Sequence, residues 1–236
     1  MSIERYSIIE KKNPREMLLL KSRPCHWGIC SFCDYTLDNC LDEQENIRIN
    51  KIALKRITGI HRQLEIINSG SCMELPDETL SDINVIVKEK AIQKLYFEAH
   101  YQFKDELASF REKFDVPIEF KSGIETFDDN FRNKVLKKGV FFKEPEEVAQ
   151  YFDSICLLIG VKGQTKLMIE RDIDMLLKYF KHGCINVYQN NTTPIKADPA
   201  LIAWFRNTYG DLEKMASIDI LWHNTDFGVG GNSNEA

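Results

Sequence analysis

Met17-Leu18-Leu19-Leu20 leads into Cys25-His26-Trp27-Gly28-Ile29-Cys30-Ser31-Phe32-Cys33, an apolar run followed by a thiol-rich loop, and the fold is read outward from this pair. The run predicts a fully buried first strand. Three thiols fall within nine residues, and Gly28 lets the chain fold back between the first two, so Cys25, Cys30 and Cys33 can converge on one soft metal centre. Three ligands and four have different chemistry. A closed structural zinc site takes four protein ligands, whereas a cubic iron–sulfur cluster held by three cysteines leaves one iron open to a substrate or cofactor. Cys40 supplies the alternative, a C-x4-C-x2-C-x6-C zinc site in a protein that binds metal without catalysis.

Downstream, short apolar runs alternate with helical patterns. Residues 64–67, 95–97, 117–126, 155–159 and 185–188 predict further strands, and helices are expected near 50–63, 76–90, 103–114, 143–151, from 166 towards 182, and 198–209. A further helix, capped by Asp128 or Asp129 and ended by Gly139, follows the fourth strand. No element is expected in the polar residues 1–16, where Lys11-Lys12-Asn13-Pro14 stops any helix. Six strand–helix alternations with unbroken apolar strands predict an α/β fold, a partial, TIM-like (β/α)6 barrel of parallel strands. Polar residues gather directly after strand ends, at 25–33, 68–71, 98–100, 122–125 and 189–191. In such sheets that edge binds the ligand.

At 236 residues and 43% hydrophobic, the chain can bury one large core, and a single domain over 1–236 is expected, with the thiol loop at 23–40, the barrel at about 16–209 and a closing segment at 210–236. Lys and Arg total 31 against 36 Asp and Glu, a formal charge of −5. That balance lacks the basic field of a nucleic-acid binder, and a small-molecule substrate is favoured. No run approaches the ~18 apolar residues of a membrane span. The start, Met1-Ser2-Ile3-Glu4-Arg5-Tyr6, is too polar for a signal peptide, so a cytoplasmic protein with reduced thiols is expected. Cys72, Cys156 and Cys184 stand beside apolar residues and read as core side chains.

C-x4-C-x2-C with Phe32 before the last Cys resembles the cluster loop of the radical S-adenosylmethionine (SAM) enzymes, whose usual spacing, C-x3-C-x2-C, is one residue shorter. Asn68-Ser69-Gly70-Ser71, Ser122-Gly123-Ile124-Glu125-Thr126 and Gly160-Val161-Lys162-Gly163-Gln164-Thr165 are similar, in that order, to the family's loops after strands two, four and five. The likeness covers residues 16 to 228. It is strongest to the branch containing the elongator-type proteins and the archaeosine synthase radical SAM subunit.

The resemblance implies a [4Fe-4S] cluster on Cys25, Cys30 and Cys33, with Cys40 outside it, and SAM as second cofactor. Phe32 is then expected near the adenine, Ser69, Gly70 and Ser71 at the amino group, and Ser122 with Glu125 or Glu98 at the ribose; Gln189 completes the cofactor set. The same branch implies a 7-deazapurine substrate such as free queuine, a carbon–nitrogen lyase reaction, and an electron donor such as flavodoxin or ferredoxin. The alternative within the branch is a tRNA-modifying enzyme. Near the end, Asp226 is the candidate carboxylate for a guanine-like N–H edge, with Asn224, His100, Tyr35 and Asn190 as further substrate-binding candidates. No residue is singled out as the catalytic acid or base.

Overall fold

Met17, Leu18 and Leu20 have no solvent exposure, and they lie on a strand, as the apolar run predicts. The computed structural model describes residues 3–231, in two compact units. Residues 3–28, 35–120 and 225–231 form the first unit, and residues 29–34 and 121–224 the second. The closing segment expected at 210–236 lies, from residue 232 on, outside the described residues.

In the first unit, β1 (Tyr6–Ile9) runs antiparallel to β2 (Arg15–Leu20), and β2, β3 (Gln63–Asn68) and β4 (Lys94–Glu98) follow in parallel. Register sets Leu18 beside Ile66 and Leu20 beside Asn68. The crossovers are α1 (Glu43–Leu54) and α2 (Asp77–Glu89); after β4 comes a 3-10 turn, Tyr101–Glu106, and then α3 (Leu107–Arg111). β5 (Ile118–Glu125) enters the second unit at Lys121 and is followed there in parallel by β6 (Ser154–Ile159), β7 (His182–Val187) and β8 (Ile218–Leu221). Helices α4 (Pro145–Ala149), α5 (Lys166–Tyr179) and α6 (Pro199–Tyr209) alternate with these strands. All six residues of β6 are buried, which is why such strands read as unbroken apolar runs.

Several boundaries differ from expectation, each for a local reason. The first helix starts at Glu43 rather than near residue 50, because the Asp42 carboxylate caps it, accepting the Gln44 and Glu45 N–H groups at 3.0 and 3.1 Å. It also ends sooner, before a turn that needs positive φ at Gly59 and Arg62. The helix expected at 103–114 begins as the 3-10 turn. Between Asp128 and Gly139 a single π turn, Phe131–Val135, replaces a helix: the buried Arg132 guanidinium is spent on the carbonyls of Thr126 and Val140 at 2.9 and 2.8 Å, which fold the segment back. β1 was not foreseen, since its four residues, none of them buried, gain order only by pairing with β2. The other side of this N-terminal segment is paired too: Glu4 exchanges N–H and C=O bonds of 2.9 Å with Gly231 and Gly230, so the chain end covers what would be a bare edge.

Asp172 on α5 anchors the segment after β5 by accepting the Phe127 N–H at 2.6 Å. Burial raises its pKa from 3.8 to about 7, against the pull of the Phe127 N–H and the Thr126 hydroxyl. Unfolded, this carboxyl ionises near its ordinary value; folded, it holds its proton longer. Its contribution to stability is therefore full below about pH 4 and is lost as pH rises through about 7. Asp172→Asn, which cannot ionise, is expected to gain stability relative to wild type across that interval, read as the urea midpoint against pH. A pH-independent difference would exclude the raised pKa.

Candidate active site

β3 ends at Asn68, whose Nδ2 donates to the Ser71 carbonyl and to Ser22 Oγ, both at 3.0 Å. With the Gly70 N–H on the Asn68 carbonyl at 2.7 Å, residues 68–71 close into a tight loop. Two buried atoms in it, Asn68 Oδ1 and Ser71 Oγ, have no hydrogen-bond partner. Such atoms cost about 1–3 kcal/mol each and mark a place where a ligand supplies the bond.

The Cys25 arm of the thiol loop is laced to this one. Cys25 donates its N–H to Asn39 Oδ1 at 3.3 Å, and Asn39 Nδ2 donates to the Ser69 carbonyl at 3.1 Å. Glu74 Oε1 accepts the His26 N–H at 2.6 Å, while its Oε2 accepts the Ser71 N–H. Burial raises the Glu74 pKa, against the pull of those two N–H groups. After β4, the His100 ring stacks on Trp27, with centroids 6.0 Å apart and planes within 17°.

In the second unit, the Cys33 N–H reaches the Cys30 carbonyl at 3.3 Å, so these two cysteines stand one tight turn apart. Ser31 between them donates its N–H to the Leu136 carbonyl at 2.9 Å and its hydroxyl to the Val135 carbonyl at 2.6 Å. Asn191 donates to the Phe32 carbonyl at 2.7 Å. The Phe32 ring packs against a core of Leu136, Leu158, Val161 and Tyr188. The G-x-x-G-Q-T turn that presents Val161 is pinned by Gln164, which donates to the Leu158 carbonyl at 2.7 Å and accepts the Val161 N–H at 2.9 Å.

Lys138 Nζ donates to Glu125 Oε1 at 2.7 Å and lies 5.8 Å from the centre of the Phe32 ring. Burial by itself would lower the Lys138 pKa, but the Glu125 carboxylate and the thiols of Cys30 and Cys33 outweigh it and hold the ammonium charged. Gly123 makes room for the pair: a Cβ there would stand 2.6 Å from Glu125 Oε1 and 2.8 Å from Lys138 Nζ. Glu125 itself sits at φ 67°, where the β5–β6 register shifts. Three residues earlier on the same strand, Ser122 Oγ is buried without a partner.

The remaining expected residues divide by what already occupies them. Gln189 Nε2 donates to the Trp222 carbonyl at 2.8 Å, and Asn190 Oδ1 accepts the Ala197 N–H at 2.9 Å, so both have structural bonds. His100 Nδ1 accepts the Gln102 N–H at 3.3 Å and caps the turn after β4. Glu98 is half-buried at the end of β4. Tyr35, Asn224 and Asp226 are exposed, Asn224 in the second unit and the other two in the first. The sequence reading gave no role to Glu74, Lys138 or Asn39, and took in Asn191 only as part of the polar strand end 189–191. Only the Ser71-x-x-Glu74 spacing, that of a capping box, pointed to one of them.

None of the seven cysteines is in a disulfide: Cys72, Cys156 and Cys184 are buried in the core as expected, while Cys25, Cys30, Cys33 and Cys40 are half-buried. Among the described residues no set of three or more His, Cys, Asp or Glu side chains stands ready as an ion cage, so a cluster reading rests on the reduced, half-buried thiols and their spacing. The Glu125–Lys138 pair carries its own expectation. Lys138→Met leaves a buried carboxylate uncompensated and should cost about 3–5 kcal/mol in urea unfolding, part of which the double variant Lys138→Met/Glu125→Gln recovers. An unchanged midpoint in the single variant would show that the pair contributes nothing.

No family model matches the chain. An uncharacterised protein of Methanocaldococcus jannaschii is 26% identical over 140 residues, taking in 52% of this chain, which spans only 38% of that relative's length. The fold is similar to that of a radical SAM methyltransferase from Sphaerobacter thermophilus, with 15% identity, a TM-score of 0.59, and coverage of 90% of this chain and 67% of that one. SuiB from Streptococcus suis is alike at 16% identity and a TM-score of 0.57, over 86% of this chain and 48% of that one. A queuine lyase from Clostridium spiroforme, solved bound to SAM and queuine, is 54% identical over 98% of this chain and 100% of that one, with a TM-score of 0.96. The α/β partial barrel of the radical SAM type expected from the sequence is thus the right fold class. Identity at that level across nearly the full length of both chains leaves one conclusion: the chain belongs to the queuine lyase family of radical SAM enzymes.

Proposed function

We propose that the protein cleaves the C–N linkage of free queuine and releases the preQ1 base, using a [4Fe-4S] cluster and SAM. The observation that carries this is the 54% identity, over 98% of the chain, with a queuine lyase that binds SAM and queuine. When bound, the cluster and SAM would supply the radical chemistry that activates the substrate next to the bond that breaks. Everything else is the work of the chain.

The thiolates of Cys25, Cys30 and Cys33 would hold the cluster, with Cys40 outside the ligand set. Asn68 Oδ1 and Ser71 Oγ, buried and lacking partners, accept from the SAM ammonium; Ser122 Oγ meets the ribose, and Glu125, held by Lys138, accepts from a ribose hydroxyl. Phe32, with Leu158 and Val161 behind it, gives the adenine an apolar face. Asp226 is assigned to the N–H edge of the deazapurine, because paired donors suit a carboxylate. Asn224, His100, Tyr35 and Asn190 remain substrate-binding candidates; with its oxygen on the Ala197 N–H, Asn190 has its amide N–H groups to offer.

A one-electron donor of the flavodoxin or ferredoxin type and a cytoplasmic setting complete the reading. No helix among the described residues is long and apolar enough to cross a membrane.

Two experiments test it. Anaerobically reconstituted protein given SAM and a reductant should convert free queuine to preQ1 with formation of 5′-deoxyadenosine, and should leave queuosine-containing tRNA untouched. Turnover of the tRNA but not of the base would reject the lyase in favour of the tRNA-modifying alternative. Iron analysis tests the ligand set: Ala at Cys25, Cys30 or Cys33 should abolish cluster loading, whereas Cys40→Ala keeps it. Loss of iron in the Cys40 variant would restore the four-thiol site.

A further inference from the structure

Glu74 belongs to none of the residues assigned above to cluster, cofactor or substrate, yet both of its carboxylate oxygens are engaged: Oε1 by the His26 N–H at 2.6 Å and Oε2 by the Ser71 N–H. Its carbonyl accepts the Arg23 N–H at 3.2 Å. One buried residue therefore holds the main chain on both sides of Cys25 and, at the same time, the residue that carries the Ser71 hydroxyl. Gly70 is fitted to it. A Cβ at Gly70 would stand 2.2 Å from Glu74 Oε2 and 3.4 Å from Cys25 Cα. Gly70 is not among the glycines at positive φ, so the missing side chain answers to this close approach and not to backbone conformation. A carboxylate also suits the position chemically: two N–H donors converge on a group that only accepts, and an amide in its place would turn its own N–H towards one of them.

We propose that Glu74 is a positioning residue that sets the Cys25 thiol and the Ser71 hydroxyl at a fixed spacing, so that cluster ligation and capture of the SAM amino group are coupled through one carboxylate. The inference rests on the reading of Cys25 as a cluster ligand and Ser71 as a SAM-binding residue. Its physical basis is preorganisation, because groups held in place before binding lose less freedom when the ligand arrives, and small misplacements are costly in rate.

The test uses four proteins reconstituted anaerobically: wild type, Glu74→Gln, Gly70→Ala and the double variant. Iron content, melting temperature, SAM affinity, the effect of SAM on the electron paramagnetic resonance spectrum of the reduced cluster, and 5′-deoxyadenosine formed per preQ1 are measured on each. Glu74→Gln removes one tie and is expected to weaken SAM binding about tenfold, the worth of one hydrogen bond to a charged group. It should also alter the SAM-induced spectral change and raise the ratio of deoxyadenosine to preQ1. Gly70→Ala pushes the carboxylate aside while keeping its charge, and should do the same even if the Gln variant folds poorly. The double variant should be no worse than the poorer single one, because both act on one carboxylate. Additive losses would overturn the inference, as would a lowered melting temperature with wild-type SAM affinity and spectrum. A wild-type protein that takes up no iron or binds no SAM would overturn the underlying reading, and the inference with it.

Discussion

The nine residues from Cys25 to Cys33 contain no helix or strand, so their polar groups must find partners elsewhere, and the groups that supply those partners are what the site is made of. Within the first unit the Cys25 arm is held by Asn39 and Glu74; within the second, the Cys30–Cys33 turn is held by the carbonyls of Val135 and Leu136 and by the Asn191 amide. No thiol is spent on a disulfide. The loop is thus ordered without using the groups it has to present.

Most of those partners come from segments that follow strands: Glu74 after β3, Val135 and Leu136 after β5, Asn191 after β7. This is what a parallel arrangement offers. Each crossover returns the chain to the same edge, so the segment after every strand faces the same side of its unit, and ligands bind there in such folds. Polar residues that would be costly inside the strands, such as Asn68 and Ser122, therefore collect where a ligand can satisfy them.

The energetic character of the site follows. Asn68 Oδ1, Ser71 Oγ and Ser122 Oγ are buried without partners, at about 1–3 kcal/mol each, and Glu125 with Lys138 is an ion pair with little exposure, whose Coulomb gain is set against desolvation. None of this is a recipe for stability. It is a set of hydrogen-bonding groups fixed in advance, so that a ligand that fits them adds stability on binding. The apolar surface behind Phe32 supplies the complementary half, a place for a flat ring rather than for charge.

Spacing and periodicity are written in the chain itself, and they determined the α/β class, the three-thiol loop and the polar strand ends from residue 68 to residue 191. The thiols lie within nine residues and the strands are unbroken apolar runs, so no distant partner is needed to see them. Tertiary structure alone decided the rest. Glu74 and His26 are 48 residues apart, Asn191 and Phe32 159, and Ser7 meets the Phe227 carbonyl across 220. β1 is four residues whose order comes from β2, and Lys138 differs from its neighbour Lys137 only in what the folded chain sets before it. A carboxylate or ammonium carries no local mark of its partner, because a hydrogen bond depends on where two groups end up in space and not on how the chain runs between them.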